Sequence, residues 1–421
     1  MRRIAIVGAG QAGLQLALGL LEGKGGERAV DYEVTVYAAR PPEEIRAGRI
    51  GSTQVMFEPA LALERAAGLH LWEEETPWMS GLRLVVSDPP GVPAAALDAV
   101  MEQPAQSVDQ RVKTARWLEL LEERGGRAVY GSVAPADLER IAGGHDLTVV
   151  ATGRGPLSEV FARDERHSPH DRPQRVLAAA YVHGMTFLPA PGGMCGRINP
   201  VAGYGEFFSL TGTTLGGTCG MLLWEGVPGG PFDCWRDNPG PDEVVGRSLE
   251  LMRAHLPWEY ELSAGMEPTD AGAVLTGAFT PVVRHPVAEV APGTFVLGMA
   301  DAVVLNDPVA GQGANTAARC ADGYLRAITG HGERPFDRTW MLRTFAAFWE
   351  YARHVTAFSN LLLGPPPEHV RRVLAAAAEH PEVARRYVAG YADPAGLRDW
   401  LLDADRADAY LAAVTGSARG A

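Results

Sequence analysis

Lysine is almost missing from this chain of 421 residues: only Lys24 and Lys113 occur, and arginine carries nearly all of the positive charge. Basic residues number 38 against 51 acidic ones, a net charge of −13, which argues against nucleic acid or an anionic membrane surface as partner. Cysteine is scarce too. Cys195, Cys219, Cys234 and Cys320 have no CxxC or metal-ligand spacing, so they read as free thiols in a reducing compartment. No apolar run approaches the roughly 18 residues that a membrane span needs. The run at residues 4–7 is too short for the apolar core of a secretory leader, so a soluble, cytoplasmic protein is expected. Internal repeats and low-complexity tracts are missing, and the length suits two interleaved domains with an extension.

What is present is concentrated at the start. Arg3-Ile4-Ala5-Ile6-Val7 reads as a short buried strand, running into Gly8-Ala9-Gly10-Gln11-Ala12-Gly13 and then into the helical Leu14-Gln15-Leu16-Ala17-Leu18. Gly8 permits a tight turn, Gly10 lets backbone approach a pyrophosphate, and Gly13 lets the helix lie close on the strand. Phosphates are then held at a helix N-terminus, where unpaired N–H groups favour negative charge. A second strand, Tyr32–Tyr37, follows where a βαβ unit requires it. The carboxylate that usually grips the ribose is missing; Tyr37-Ala38-Ala39-Arg40 stands there instead. Either Arg40 holds a 2′-phosphate, as in NADP binding, or the site holds FAD through other contacts.

Further along, helical spacing covers 60–67 and 109–125, and strands are expected at 82–86 and 128–130. Asp146-Leu147-Thr148-Val149-Val150-Ala151-Thr152-Gly153 has the pattern of a parallel strand buried on both faces. From about 166 to 285 the pattern changes to antiparallel strands separated by Gly and Pro turns, at 176–182, 205–210 and 219–224. Thr294–Gly298 returns to the first fold. Trp340–Thr356 and Glu368–Ala389 carry apolar stripes at helical spacing, read as core-facing packing. The expected fold class is α/β: a Rossmann-like FAD-binding domain (1–60, 95–165 and 286–335) interleaved with an antiparallel β-sheet substrate domain (61–94 and 166–285), and a C-terminal helical region (336–421).

A second glycine-rich constellation follows that returning strand. Gly298-Met299-Ala300-Asp301 ends in a carboxylate suited to a polyol hydroxyl, and Asn306-Asp307-Pro308-Val309-Ala310-Gly311-Gln312-Gly313-Ala314-Asn315 reads as a proline turn opening a helix. Such an N-terminus stabilises negative charge on a flavin ring. No Ser/His/Asp triad or metal cluster is recognisable, and His183, His285 and His354 read as surface or packing residues.

These motifs together resemble the flavoprotein monooxygenases of the hydroxybenzoate-hydroxylase fold, and within them the styrene and indole monooxygenases. The resemblance spans nearly the whole chain: the opening IVGAGQAGL, Val34–Tyr37 with Arg40, Glu123-Arg124-Gly125-Gly126, Val149–Gly153, Gly203-Tyr204-Gly205-Glu206, Asp307–Asn315 and Gly364-Pro365-Pro366-Pro367-Glu368. It implies FAD delivered as FADH2 by a separate NADH-dependent flavin reductase, a flavin C4a-(hydro)peroxide, and epoxidation of a small hydrophobic aryl alkene or indole. A homodimer is compatible with it, and no metal is implied. Thr152-Gly153 replaces the Asp-Gly pair of single-component hydroxylases, which makes Arg40 an FAD contact rather than an NADP selector. Cofactor contacts are expected at Gly8, Gly10, Gln11, Ala12, Gly13, Tyr37, Arg40, Arg49, Arg111, Thr152, Gly153, Asp301, Pro308, Gly311, Gly313, Ala314 and Asn315, with Arg111 reaching the pyrophosphate. Catalytic roles fall on Ser52, Thr53, Gly311, Gln312 and Asn315, and substrate contacts on Ile50, Gly51, Tyr204, Phe208, Pro308 and Val309.

One departure concerns the family's Arg-Leu-Leu-Asn-Thr segment, which is Arg49-Ile50-Gly51-Ser52-Thr53 here. Ser52 has a shorter reach than Asn, and Gly51 in place of Leu implies a roomier pocket. A flavin halogenase is the nearest rival, but no lysine lies between residues 25 and 112 and no Trp-x-Trp pair occurs among the nine tryptophans. A single-component NAD(P)H-dependent aromatic hydroxylase and a non-catalytic flavin-binding protein are the remaining alternatives.

Overall fold

The computed structural model describes residues 1–22, 30–52 and 54–417. Two sheets organise it. The first has six strands in the order Val287–Ala291, Thr294–Gly298, Leu147–Val150, Arg2–Val7, Tyr32–Ala38, Arg127–Tyr130. All its pairings are parallel except that between Val287–Ala291 and Thr294–Gly298. Its central strands are apolar on both sides because helices cover both faces: Ile4, Ala5, Ile6, Val149 and Val150 are fully buried. Helix Gln11–Leu21 is buried along its whole length between this sheet and helix Gly313–Thr329. Their approach is close enough that a Cβ on Gly19 would fall 2.6 Å from Leu325.

The second sheet has ten strands, its path including Val176–His183, Gly217–Gly226, Gly205–Thr214, Gly193–Val201, Met79–Ser87, Pro93–Ser107 and Val55–Met56. Two boundaries differ from the sequence division. Val55–Met56 and Pro93–Ser107, assigned to the nucleotide-binding part, both pair into this sheet. Met79–Ser87 pairs parallel with Gly193–Val201, the exception in a sheet expected to be antiparallel throughout. The two strands come from separate excursions of the chain out of the first sheet, so no hairpin fixes their direction.

Alternation sorts the residues of the second sheet onto two faces. Ala179, Tyr181, Ile198, Phe208, Leu210, Met221 and Leu223 join Ile50, Val55, Phe57, Val309 and the C-terminal helices in one core. Ala178, Ala180, Val182, Phe207, Leu222 and Trp224 face the other way, under helices Pro241–His255 and Pro257–Ser263. The tail is helical over Arg338–Leu363, Glu368–Glu379, Pro381–Ala392 and Ala404–Ser417. The stripe at 368–389 is split: His380, preceding Pro381, is extended at φ −119°, ψ 102°.

Candidate active site

At the end of the first strand the three glycines differ in what they allow. Gly8 has φ +122°, and its N–H donates to the Tyr37 carbonyl at 3.0 Å. A Cβ on Gly13 would lie 2.1 Å from the Gly8 carbonyl oxygen, so only glycine lets helix Gln11–Leu21 pack there. A Cβ on Gly10 would meet nothing within 4 Å, and Gly10 is exposed. Gly10 thus leaves open space in front of the first amides of the helix, as an anion requires. Ala12 is buried behind them. Tyr37 supports this turn through its carbonyl, not its ring, which meets His145 edge-on at 6.4 Å.

The neighbouring strand end closes against the same turn. Thr152 Oγ1 donates to the Val7 carbonyl at 3.1 Å, and a Cβ on Gly153 would lie 2.4 Å from Asp301 Cβ. Gly8, Thr152, Gly153 and Asp301 thus form one continuous rim. Burial pushes the Asp301 carboxyl up to about 6, against the pull of Arg154. Beyond Asp301, the Asp307 carboxylate caps the turn Pro308–Ala310 by accepting from Val309 N–H at 3.3 Å. Gly311 follows with φ +63°, then helix Gly313–Thr329. Gly313 is exposed and would accommodate a Cβ freely, so this helix also opens its N-terminus to space. Gln15 Nε2 donates to the Ala318 carbonyl at 3.4 Å, tying the two glycine-started helices side by side.

Several expected roles change. Asn315 is buried and its side chain is spent on backbone: it accepts from Phe57 N–H at 2.8 Å and donates to the Val55 and Gly311 carbonyls, both at 2.9 Å. It holds the loop 55–57 onto the turn that ends at Gly311. Gln312 is buried and donates to the Ala310 and Tyr391 carbonyls, linking the turn to helix Pro381–Ala392. Arg111 does not present a free guanidinium to a pyrophosphate: all its nitrogens are engaged by Asp109, Asp270, Thr214 and the Gly48 carbonyl. Tyr204 belongs to the opposite face of the sheet, edge-on to Phe232 at 5.7 Å and His255 at 5.1 Å. Phe208, Ile50 and Val309 do converge, in one apolar core with Val55 and Phe57.

In the segment 49–54, Arg49 and Gly51 are exposed and Ile50 is buried. Thr53 lies outside the described residues. Ser52 Oγ accepts from Gln110 Nε2 at 3.3 Å, and its carbonyl accepts from the Tyr181 hydroxyl. A Cβ on Gly51 would lie 2.7 Å from Gln110 Oε1. The room expected from Gly51 is therefore taken by the Gln110 amide. Arg40 is exposed and its guanidinium lies over Gly48, 2.9 Å from where a Cβ there would stand.

Sequence reasoning missed a buried polar network behind these loops. Gln11 Oε1 accepts from Gln54 Nε2 at 3.0 Å, and Gln11 Nε2 donates to Glu64 at 2.7 Å. Lys113 Nζ pairs with Glu64 at 2.5 Å, both side chains essentially inaccessible. Gln54 has φ +41°, a strained backbone that this network retains. The available signal was Lys113 itself, at helical spacing from the core residues Trp117 and Leu121.

The fold is shared with solved flavoproteins. The brominase Bmp2 triple mutant superposes with a TM-score of 0.64 at 13% identity, covering 100% of both chains. The p-nitrophenol 4-monooxygenase PnpA from Pseudomonas putida superposes at 0.60 and 14% identity, covering 94% of this chain and 99% of that one. This architecture, with two glycine-opened helices on one sheet end, is the fold of the hydroxybenzoate-hydroxylase type.

Sequence comparison goes further. The family model "Styrene monooxygenase A putative substrate binding domain" matches residues 153–261. Styrene monooxygenase StyA from Pseudomonas fluorescens is 30% identical over 326 residues, 76% of this chain and 75% of that protein. StyA from a Pseudomonas species is 29% identical over the same shares. The chain belongs to the styrene monooxygenase family and is a flavin-dependent monooxygenase. Among the described residues no helix is long and apolar enough to cross a membrane.

Proposed function

We propose that this chain is the oxygenase of a two-component system: it takes up FAD already reduced by a separate NADH-dependent reductase and epoxidises a small aryl alkene or indole-type substrate. The observation that carries this reading is the convergence of the Gly8–Gly13 turn, Asp301 and the Pro308–Ala314 turn along one sheet end, beside an apolar core. A pyrophosphate cradle separate from the flavin-side turn favours FAD over FMN, which has one phosphate. The amides after Gly10 hold the phosphates, Asp301 accepts from a ribityl hydroxyl, and the N–H groups at 311–314 face charge on the ring. Bound as FADH2, the cofactor supplies with O2 the oxygen atom that the substrate accepts. Ile50, Phe208, Pro308 and Val309 exclude water and hold the alkene. The relatives' name, styrene monooxygenase, supports an alkene as substrate.

Product analysis with styrene, indole and a thioether, using FADH2 from an unrelated reductase, tests this. Epoxide is expected. Release of H2O2 alone with every substrate would end the proposal, and bleaching of bound flavin by NADPH alone would make the protein a single-component hydroxylase.

A further inference from the structure

Three carboxylates and one arginine are buried together under the flavin-side turn. Glu206 and Glu225 are direct partners on neighbouring strands, on the sheet face that also carries Phe208 and Leu223. Arg175 forks onto Glu206 at 2.6 and 2.8 Å, and its remaining donors go to the Gln174 and Leu363 carbonyls. Glu225 is fully buried, and Arg175 acts on it only through its charge, without a hydrogen bond. No protein donor of fixed position reaches either of its oxygens, yet its carboxyl lies within hydrogen-bonding reach of Asp307, itself 3% exposed. Two carboxylates at that separation repel each other, and a bond between them requires a proton. The other groups facing this pair are His170, from the segment before the strand, and Tyr391, from helix Pro381–Ala392.

We propose that Glu225 is a positioning residue: its carboxyl donates a hydrogen bond to Asp307 and thereby fixes the turn Asp307–Gly313 from which the flavin-side helix starts. The shared proton depends on this chain alone; its consequence for flavin rests on the function proposed above. Burial, then the charges of Asp307 and Glu206, push the Glu225 carboxyl well above the ordinary range. Ionising it sets its charge against Asp307, whose cap on Val309 N–H is the bond that the turn then loses.

The sign follows from linkage. A carboxyl raised in the folded state contributes stability below its unfolded value, and this is lost as pH rises through its folded value. Glu225→Gln keeps the size and a donor for Asp307 but cannot ionise. Above the pH at which ordinary carboxyls ionise, flavin-free wild type should show the infrared C=O band of a protonated carboxyl that Glu225→Gln lacks. As pH rises above the ordinary carboxylate range, its melting temperature should fall more steeply than that of Glu225→Gln. The FAD dissociation constant should rise on the order of tenfold over the same range in wild type and stay nearly flat in the variant. Identical infrared spectra, or parallel melting profiles, overturn the shared proton whatever the cofactor. A confirmed proton with parallel FAD profiles overturns only the positioning role. Should Glu225→Gln fail to fold, Asp307→Asn replaces it: the C=O band should then vanish at lower pH than in wild type, and an unmoved band overturns the proposal.

Discussion

Asn315 joins three backbone groups from two loops, and its value can be measured. Asn315→Ala strands the Phe57 N–H and the Val55 and Gly311 carbonyls. At about 1 kcal/mol per bond, with more for each group left buried and unpaired, a loss of about 2–4 kcal/mol is expected in urea unfolding. An unchanged midpoint with lowered turnover would return Asn315 to a direct catalytic role. Two of its three partners lie 258 and 260 positions away and are main-chain atoms, so no local pattern announces them. Gly8 and Gly13 were legible for the opposite reason: each is demanded by backbone geometry within a few residues. The place of Asp301 at a strand end was legible, but its titration was not, because burial by distant elements sets it. Since its folded value is raised to about 6, it favours folding at low pH and this is lost as pH rises from about 4 through about 6. Asp301→Asn should flatten flavin-free melting temperatures across that window while weakening FAD binding. A profile unchanged from wild type would show that Asp301 titrates normally.

Among the elements, the helices that start at Gln11, Glu58 and Gln110 are joined by the Lys113–Glu64 pair. Burial raises the Glu64 carboxyl, but Lys113, His70 and Gln11 outweigh it and hold it below the ordinary carboxylate range. The stability it contributes is therefore present above the unfolded value and lost as pH falls through the folded one. Lys113→Met removes one partner and leaves a buried carboxylate, a cost of about 3–5 kcal/mol. Lys113→Met with Glu64→Leu should recover most of it, because two apolar side chains need no pairing. A double-mutant cycle on urea midpoints checks this, and additive losses would mean that the pair is not coupled. Strand and helix periods made most elements readable, since alternation and 3.6-residue spacing are local properties. Sheet membership was not: Pro93–Ser107 carries the same alternation whichever sheet it joins, and its pairing with Met79–Ser87 is decided in three dimensions.

For the whole molecule, the C-terminal helices form a wall of the apolar core and not an appendage. Val370, Val373, Val383, Tyr387, Val388, Tyr391, Leu397, Trp400 and Leu401 are buried against Leu97, Ala99 and Met101 of the strand Pro93–Ser107 and near Val309. Gln312 also reaches into this wall through its bond to the Tyr391 carbonyl. The apolar stripes in the sequence indicated a packed face, while the face they pack on was hidden, because the strand that provides it lies nearly 300 residues earlier. At ~1.5 kcal/mol or more for each buried side chain, the wall rivals the ~5–15 kcal/mol that holds a typical domain together. Truncation after Leu363 should therefore yield a chain that binds hydrophobic dyes, melts without a cooperative transition and fails to retain FAD. If the shortened chain instead melts cooperatively and still binds FAD, the wall is an appendage, and the turn Pro308–Ala310 is held by Asp307 and Asn315 without support from helix Pro381–Ala392.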